Sequence, residues 1–567
     1  VRTPTIPLRW VALALIIAGA GALRIVDLGA VRLDPFYDAA VRSMSFSWHN
    51  FFFGAYEPGG SVSIDKPPVD LWLQVASVKL LGWSSTSLKL PEALAGTASV
   101  PLLYTAVRRP FGDLAGLIAA TALATLPIEV ITARSDTMDA VMMMLLALSL
   151  LMVVLASETG RAVWLLLAAA ALGLAFNVKL LESLVAIPGL ALFAWLGLPR
   201  RGPPQGDRPR GDRPRLAGDA RPSSRARRAA WLGATAAVYI VIALSWLGAT
   251  LLFPAHERPY AIGSTNGSAW NAAFVFNGVE RLSGKAVEVG QTSPVVRHGA
   301  GAGPLASTRS TPITPPSPTR LLARGGQLPA RWLGWEALIA LLLGTVVTVS
   351  STRRRMSPVQ RAMALGMFVW LLTGLVLFSA MARLHPRYVE SFTPAVAGVF
   401  GIGVAWVAGA GGRARLLAIP LVALLALPLA ASVEAVGDRT SDAGNVGALG
   451  ATEQRALSAY LRAHQGGARY ELAAGAATGV ASLIVQDARP VLMLTSYNGL
   501  PLTGVAQLRA LATAGEVRYA FLQSACKPGA PSTSVGCAPA ARWVRTHGTD
   551  VSRQAGLQVG DVLWRLP

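Results

Sequence analysis

Charge is scarce in this chain. Of its 567 residues only 14% are charged, against roughly 25% in a soluble domain, while hydrophobic types reach 53%. So few charges cannot wet the whole surface of a soluble enzyme. Acid is scarcer than base, with 30 Asp and Glu against 51 Lys and Arg, a net charge of +21. Such an excess would fit nucleic acid if the basic residues formed one face with interleaved aromatics. Here the Arg clusters punctuate apolar blocks instead, so nucleic acid is not an expected partner. Cysteine is limited to Cys526 and Cys537. No compact group of residues has metal-ligand spacing, and no internal repeat is visible.

What is abundant is apolar sequence, in recurrent blocks across positions 11 to 431. Candidate membrane spans lie near Val11 to Leu23, Leu90 to Val107, Leu114 to Ile131, Val141 to Ala156, Val163 to Phe176, Leu184 to Leu198, Ala230 to Phe253, Trp335 to Val349, Ala362 to Met381, Thr393 to Ala410 and Leu416 to Ala431. Several fall short of the ~20 residues that cross hydrocarbon, so they extend into flanking polar sequence or stop inside a protein-lined cavity. The expected architecture is an α-helical polytopic membrane protein of about eleven spans, residues 1–433, followed by an α/β domain, residues 434–567.

Numbering the connections alternately puts 21 basic residues and only five acids on one side. The positive-inside rule makes that side cytoplasmic. It includes the Arg/Pro-rich loop 199–229, which reads as a disordered topology anchor. The first span begins after two arginines and could pass for a signal peptide; without a clear cleavage site it is read as an anchor. An odd number of spans leaves the loops 24–88 and 254–333 and the C-terminal domain outside.

The outer loop 24–88 carries most of the chemistry. Val41, Met44, Trp48 and Phe51 recur at helical spacing, with Asp34, Asp38, Arg42, Ser45 and His49 on the opposite stripe. That pattern predicts an amphipathic helix lying at the membrane surface. Asp38 and Arg42 could be a plain i,i+4 surface pair. Asp34, before Pro35, could simply cap the helix. Further on, Asp65-Lys66-Pro67-Pro68 holds an acid and a base on stiffened backbone, where a cation at the membrane edge can bind a phosphate.

This order, a short N-terminal span, an acid, an amphipathic Tyr-containing helix and then Asp-Lys-Pro-Pro, resembles the GT-C membrane glycosyltransferases of the protein O-mannosyltransferase and aminoarabinose transferase type. The resemblance sharpens to a bacterial YkcB-type branch through AAVRSMSFSWHNFFFGAYEPGGSVSIDKPPVDLWLQ, LGLAFNVKLLESLVAIPGL, RPYAIGSTNG with FNGVERLSG, LHPRYVESFTPAVAG and, in the tail, GEVRYAFL. It implies inverting transfer of a sugar from a polyprenyl-phosphate donor to a hydroxyl of a protein, lipid or cell-wall glycan, on the outer face of the bacterial cytoplasmic membrane. A base must take the acceptor proton and cations must stabilise the departing phosphate.

By that resemblance Asp34 is the expected base. Relatives often carry a second acid directly after the first, where this chain has Pro35, so Asp38 is the reserve. Lys66 should contact the donor phosphate. Asp65 orients it or holds a divalent metal, for which His256 is the outer-loop partner. Arg258, His385, Arg387 and Tyr388 are assigned to the phosphate. Where the third span turns into the fourth, Arg134 and Asp136 could pair structurally, leaving Asp139 to face the site. Lys179 and Glu182, at i,i+3, are expected to neutralise each other. In the tail, strands near 469–473, 490–495, 517–523 and 562–566, alternating with helices, predict a small domain with a largely parallel sheet. Cys526 and Cys537 are expected to form a structural disulfide. A secondary transporter is the leading competing class; against it stand the missing repeat and the gathering of polar groups at one membrane face.

Overall fold

In a computed structural model the described residues are 7–198, 224–283, 315–322, 328–351, 356–522 apart from 445–446, 448, 478 and 497–499, and 537–567. Each expected apolar block falls on helix. Eight helices among the described residues are long and apolar enough to cross a membrane. The other apolar blocks begin and end at identifiable residues. Ser85–Phe111 opens with a capping box at Ser84 and closes at Gly112, whose φ of 87° ends the helix and lets the chain re-enter at Asp113–Thr125. The expected single block Leu114 to Ile131 is broken, because Pro127 starts a new short helix, Pro127–Thr132, and a proline cannot donate into the preceding turn.

The blocks at Val163 and Leu184 are continuous in helical assignment from Ala162 to Gly197, but they are two passes. Lys179 meets Asp139 at the start of the neighbouring helix Asp139–Thr159, whereas a Cβ on Gly197 would stand 2.8 Å from Ser157 at that helix's far end. The chain therefore turns back between them, through Leu180 at φ 53° and the 3-10 turn Leu180–Ala186. Lys179 and Glu182 sit at that break.

The first outer loop departs from expectation. In place of one amphipathic helix it holds Pro35–Met44 and Trp48–Phe53, the second capped afresh by the Ser47 side chain, and then a third helix, Val69–Leu81. The first is buried on nearly every side, because the tail helix Ala481–Asp487 packs over it. The strand Val62–Ser63 pairs in parallel with Tyr260–Ala261 and ties the loop to the segment after the helix Ser224–Thr250.

The tail forms a five-stranded sheet in the order Leu492–Met493, Ala473–Ala474, Tyr519–Phe521, Leu563–Arg565, Thr549–Asp550. The first two pairings are parallel and the last two antiparallel. The expected largely parallel sheet is thus mixed, because Thr549–Asp550 adds an unforeseen edge strand and the chain ends by running back between it and Tyr519–Phe521. One face of the sheet continues the hydrophobic core of the membrane part through Leu472, Ala474 and Phe521. The other has its own core around Leu494, Leu508, Leu522, Cys537 and Val544. Cys526 and most of the loop 199–229 lie outside the described residues, so the Cys526–Cys537 pairing is carried forward as an expectation.

Candidate active site

Lys66, Lys179 and Arg281 converge on one cavity of about 280 Å³. Each comes from a different connection. Lys66 follows the strand of the first loop, Lys179 ends the helix Ala162–Lys179, and Arg281 lies on the turn Glu280–Ser283 that extends a π-helical run, Ala272–Val279. Tyr388 closes the polar end, with the Lys179 ammonium 5.3 Å and the Arg281 guanidinium 5.7 Å from its ring centre. Glu182, Asn277 and Thr373 also line it, and the rest of the wall is largely apolar, formed by Leu184, Val185, Leu377, Phe378 and Met381 among others. A cationic head joined to an apolar trough is the shape a phosphorylated hydrocarbon chain requires.

The cations are held by buried carboxylates. Lys66 donates to both oxygens of Asp65, at 3.0 and 2.9 Å, and Arg281 reaches Asp65 at 3.9 Å. Burial pushes the Asp65 carboxyl up, but the charges of Lys66 and Arg281, with hydrogen bonds from Lys66 and Asn277, outweigh it and hold it below the usual carboxylate range. Asn277 donates to the Asp65 carbonyl at 2.8 Å and accepts from Arg281 at 3.0 Å. Lys179 is paired with Asp139, and Glu182 lies farther away, at 3.8 Å. The expected Lys179–Glu182 neutralisation is therefore secondary. Asp139, fully buried in this pair, does not line the cavity and serves to position Lys179.

Beside the cavity stands a group of three acids. Asp34 caps Pro35–Met44: one carboxylate oxygen accepts from the Phe36 N–H at 3.0 Å and the other from the Gly444 N–H at 2.8 Å. Its own backbone N–H donates to both oxygens of Asp136, at 3.1 and 2.9 Å. Burial, reinforced by Asp34, pushes Asp136 up to about 7. Asp38 is raised well above the carboxylate range by burial and then by Asp136, so the two carboxyls compete for charge. Tyr37 lies between the two groups: the Lys66 ammonium is 6.0 Å from its ring, and Asp34, Asp65, Arg281 and Arg387 all act on its hydroxyl electrostatically.

A strap from the link to the tail completes the site. Arg387 pairs with Asp442 at 3.2 Å, both side chains about nine-tenths buried. Arg32 donates to the Ala443 carbonyl, and Gly444 holds Asp34. Burial raises Asp442, while Arg387 and Lys179 act against the rise. His385 is driven well below its usual range by burial and by Arg387, Lys179, Arg281 and Lys66 around it.

Several expected site residues lie elsewhere. Arg258 is half-buried and donates to the carbonyls of Phe253 and Leu251 beyond Ser224–Thr250, away from the cavity. His256 is 81% exposed, its acidic neighbour being Glu257 at 3.7 Å. Asp65 is committed to cations, and no group of three or more His, Cys, Asp or Glu among the described residues could hold a metal. The expected Asp65–His256 metal pair does not fit. Arg387 binds Asp442 and does not line the cavity, which leaves Tyr388 as the member of its group that does. Arg134 caps the first helix, donating to the Leu23 and Val26 carbonyls at 3.0 and 2.7 Å, and does not pair with Asp136. Arg42 lies over Trp83 at 5.0 Å, while Asp38 turns to Asp136. Arg281, Asn277, Tyr37 and Asp442 were not singled out from the sequence; the i,i+4 spacing of Asn277 and Arg281 was the one signal available.

The fold is that of the GT-C membrane glycosyltransferases, and the chain is a multi-pass bacterial membrane protein. Its described structure superimposes on ArnT from Cupriavidus metallidurans bound to undecaprenyl phosphate, with a TM-score of 0.51, 16% identity, and coverage of 89% of this chain and 88% of that one. It also matches the oligosaccharyltransferase AglB from Archaeoglobus fulgidus, solved with an inhibitory peptide and a dolichol-phosphate, with a TM-score of 0.51, 11% identity, and coverage of 91% and 69%. Residues 65–202 match the family model of dolichyl-phosphate-mannose-protein mannosyltransferases. Residues 457–547 match that of the C-terminal region of "Putative mannosyltransferase YkcB-like" proteins. YkcB of Bacillus subtilis (strain 168) is 32% identical over 262 residues, 46% of this chain and 33% of that protein. The matched part is about a third of that relative's length. The resemblance seen in the Asp-Lys-Pro-Pro loop is thereby borne out.

Proposed function

We propose that the protein transfers a sugar from a polyprenyl-phosphate donor to an acceptor hydroxyl at the outer face of the membrane. The cavity carries this reading: three cations, a phenol and the single carboxylate Glu182 at one end, a largely hydrocarbon wall at the other. The donor phosphate sits among Lys66, Lys179 and Arg281, with the isoprenoid along Leu184, Leu377 and Phe378. As the glycosidic bond breaks, charge grows on that phosphate, and fixed cations in a water-poor site stabilise it without reorganising. Asp65 and Asp139 keep Lys66 and Lys179 aimed before the donor arrives. Asp34 takes the acceptor proton. Its two lone-pair contacts are backbone N–H groups, so the Gly444 strap moves aside when the acceptor enters, and Asp442 draws Arg387 with it.

The extracytoplasmic placement of the site and of the tail follows from the Arg distribution across the connections. The residues 434–567 form a domain that roofs the first-loop helix. The test is incubation of the purified protein with polyprenyl-phosphate sugars, scored by mass spectrometry. Release of polyprenyl phosphate from one donor supports the reading. Failure of every donor to bind or react overturns it.

A further inference from the structure

A second cavity, of about 300 Å³, shares no residue with the first. It lies between the helices Leu328–Ser350 and Thr393–Ala408 and the last membrane helix, and Glu336, Phe400, Leu424 and Pro428 are among its walls. That last helix is interrupted: Ala418–Ala423 and Ala426–Gly437 are separated by a turn at Leu424 and Leu425. Pro428 has no N–H to offer the Leu424 carbonyl, which is taken instead by the Leu427 N–H at 3.1 Å. Non-helical backbone at membrane depth is tolerated where it lines a cavity.

Among the described residues Glu336 is the only charged one on this wall. It is 7% exposed, and among the described residues neither of its carboxyl oxygens has a hydrogen-bond partner. A buried carboxyl without a partner is costly, and an ionisable residue inside a membrane domain marks a functional site by default. The mouth of the cavity faces outward, since Trp335, Leu424 and Leu427 at its edge are 48%, 39% and 51% exposed. In a membrane-spanning bundle that exposure is to hydrocarbon, so an occupant enters from the bilayer. The wall offers one carboxyl and otherwise apolar side chains with the Trp335 ring. A metal cation would lack the several oxygen ligands it needs, and an anion would meet no positive group among the described residues.

We propose that this cavity binds a membrane lipid bearing a neutral hydrogen-bonding group, a hydroxyl or ester, with Glu336 as the polar anchor and the chain packed against Phe400 and Leu424. This site stands independently of the transferase reading. The probe is a photoactivatable diacylglycerol, which carries one hydroxyl, two esters and no charge, added to the full chain in nanodiscs. Cross-linked peptides are then mapped by mass spectrometry. Labelling is expected on peptides containing 335–339 or 424–428. Glu336→Leu should reduce it about five- to tenfold, the worth of one net hydrogen bond. Glu336→Gln, which keeps a donor and an acceptor, should stay within about twofold. Leu427→Trp, at the lipid-facing mouth, should block labelling with Glu336 intact and so covers the case in which Glu336→Leu misfolds. Equal labelling of Glu336→Leu and the unaltered protein would overturn the anchor. Labelling that survives Leu427→Trp, or that falls nowhere near these peptides, would overturn the site.

Discussion

Removing the Lys66 ammonium tests whether that residue serves the donor phosphate or only its neighbour Asp65. Lys66 is 8% exposed and donates twice to Asp65. On the proposed reading it gives at least one of those bonds to the phosphate when the donor binds. A hydrogen bond to a charged group contributes roughly 1.5–3 kcal/mol, about 10- to 150-fold in Kd. In Lys66→Ala the loss falls toward the upper end, because the buried Asp65 carboxylate is left with Arg281 at 3.9 Å and repels the incoming phosphate. Asp65→Asn acts in the opposite direction, freeing Lys66, and donor affinity should hold or tighten. The double variant should bind better than Lys66→Ala alone and worse than the unaltered protein. Titration of undecaprenyl phosphate by thermal stabilisation reads all four proteins. If Lys66 serves only to neutralise Asp65, the double variant, which removes both charges, should bind like the unaltered protein. That pattern, or a Lys66→Ala Kd within about twofold of the starting value, would refute the phosphate role.

Asp34→Asn should abolish transfer with undecaprenyl-phosphate affinity kept within a few-fold, because the amide preserves shape but takes no proton; if Asp38→Asn is dead while Asp34→Asn works, the base is Asp38. Asp442→Asn should leave folding intact and lower transfer about tenfold, the order of a buried charged contact, by loosening Arg387 and the strap over Asp34; transfer kinetics unchanged from the parent would remove the strap from the mechanism. In the tail, burial and then the hydrogen bond with Asp487 push Glu471 up to about 9. A folded-state value above the unfolded one means stability that is full below pH ~4.3 and lost as pH rises through about 9. Glu471→Gln should flatten that decline in a thermal melt series, and a parallel decline in both proteins would contradict it. Counting thiols under denaturing, nonreducing conditions should find none if Cys526 and Cys537 are bonded, a link contributing roughly 3 kcal/mol in the chain-entropy model; two reactive thiols would refute it.

The membrane helices were legible because apolar block length depends on composition alone, and the Asp65–Lys66 pair because two prolines mark it. What sequence could not show was which neighbours the fold supplies. The stripe of Asp34, Asp38 and Arg42 predicts an amphipathic surface helix, yet the tail covers that helix, and burial replaces the Asp38–Arg42 pair with Asp38–Asp136. Likewise Lys179 and Glu182 are three residues apart, but Asp139, forty positions earlier, wins Lys179 because the turn at Leu180 aims its side chain across to the neighbouring helix. Arg258 and Arg281 look alike as outer-loop arginines. One satisfies helix-end carbonyls and the other is drawn to Asp65 by Asn277, a difference carried by long-range contacts. The strap Ser441 to Gly444 has no motif, because it acts mainly through backbone groups.

The central claim is that the cationic cavity and Asp34 together move a sugar off a polyprenyl phosphate. Its most direct measurement is transfer in proteoliposomes carrying one polyprenyl-phosphate hexose at a time, with hydroxyl acceptors supplied outside and both products followed by mass spectrometry. The account predicts that polyprenyl phosphate and glycosylated acceptor appear together for one donor, with inverted anomeric configuration, and that both vanish in Asp34→Asn. Glycosylated acceptor formed equally by Asp34→Asn, or donors that bind the cavity and are never consumed with any acceptor, would contradict it.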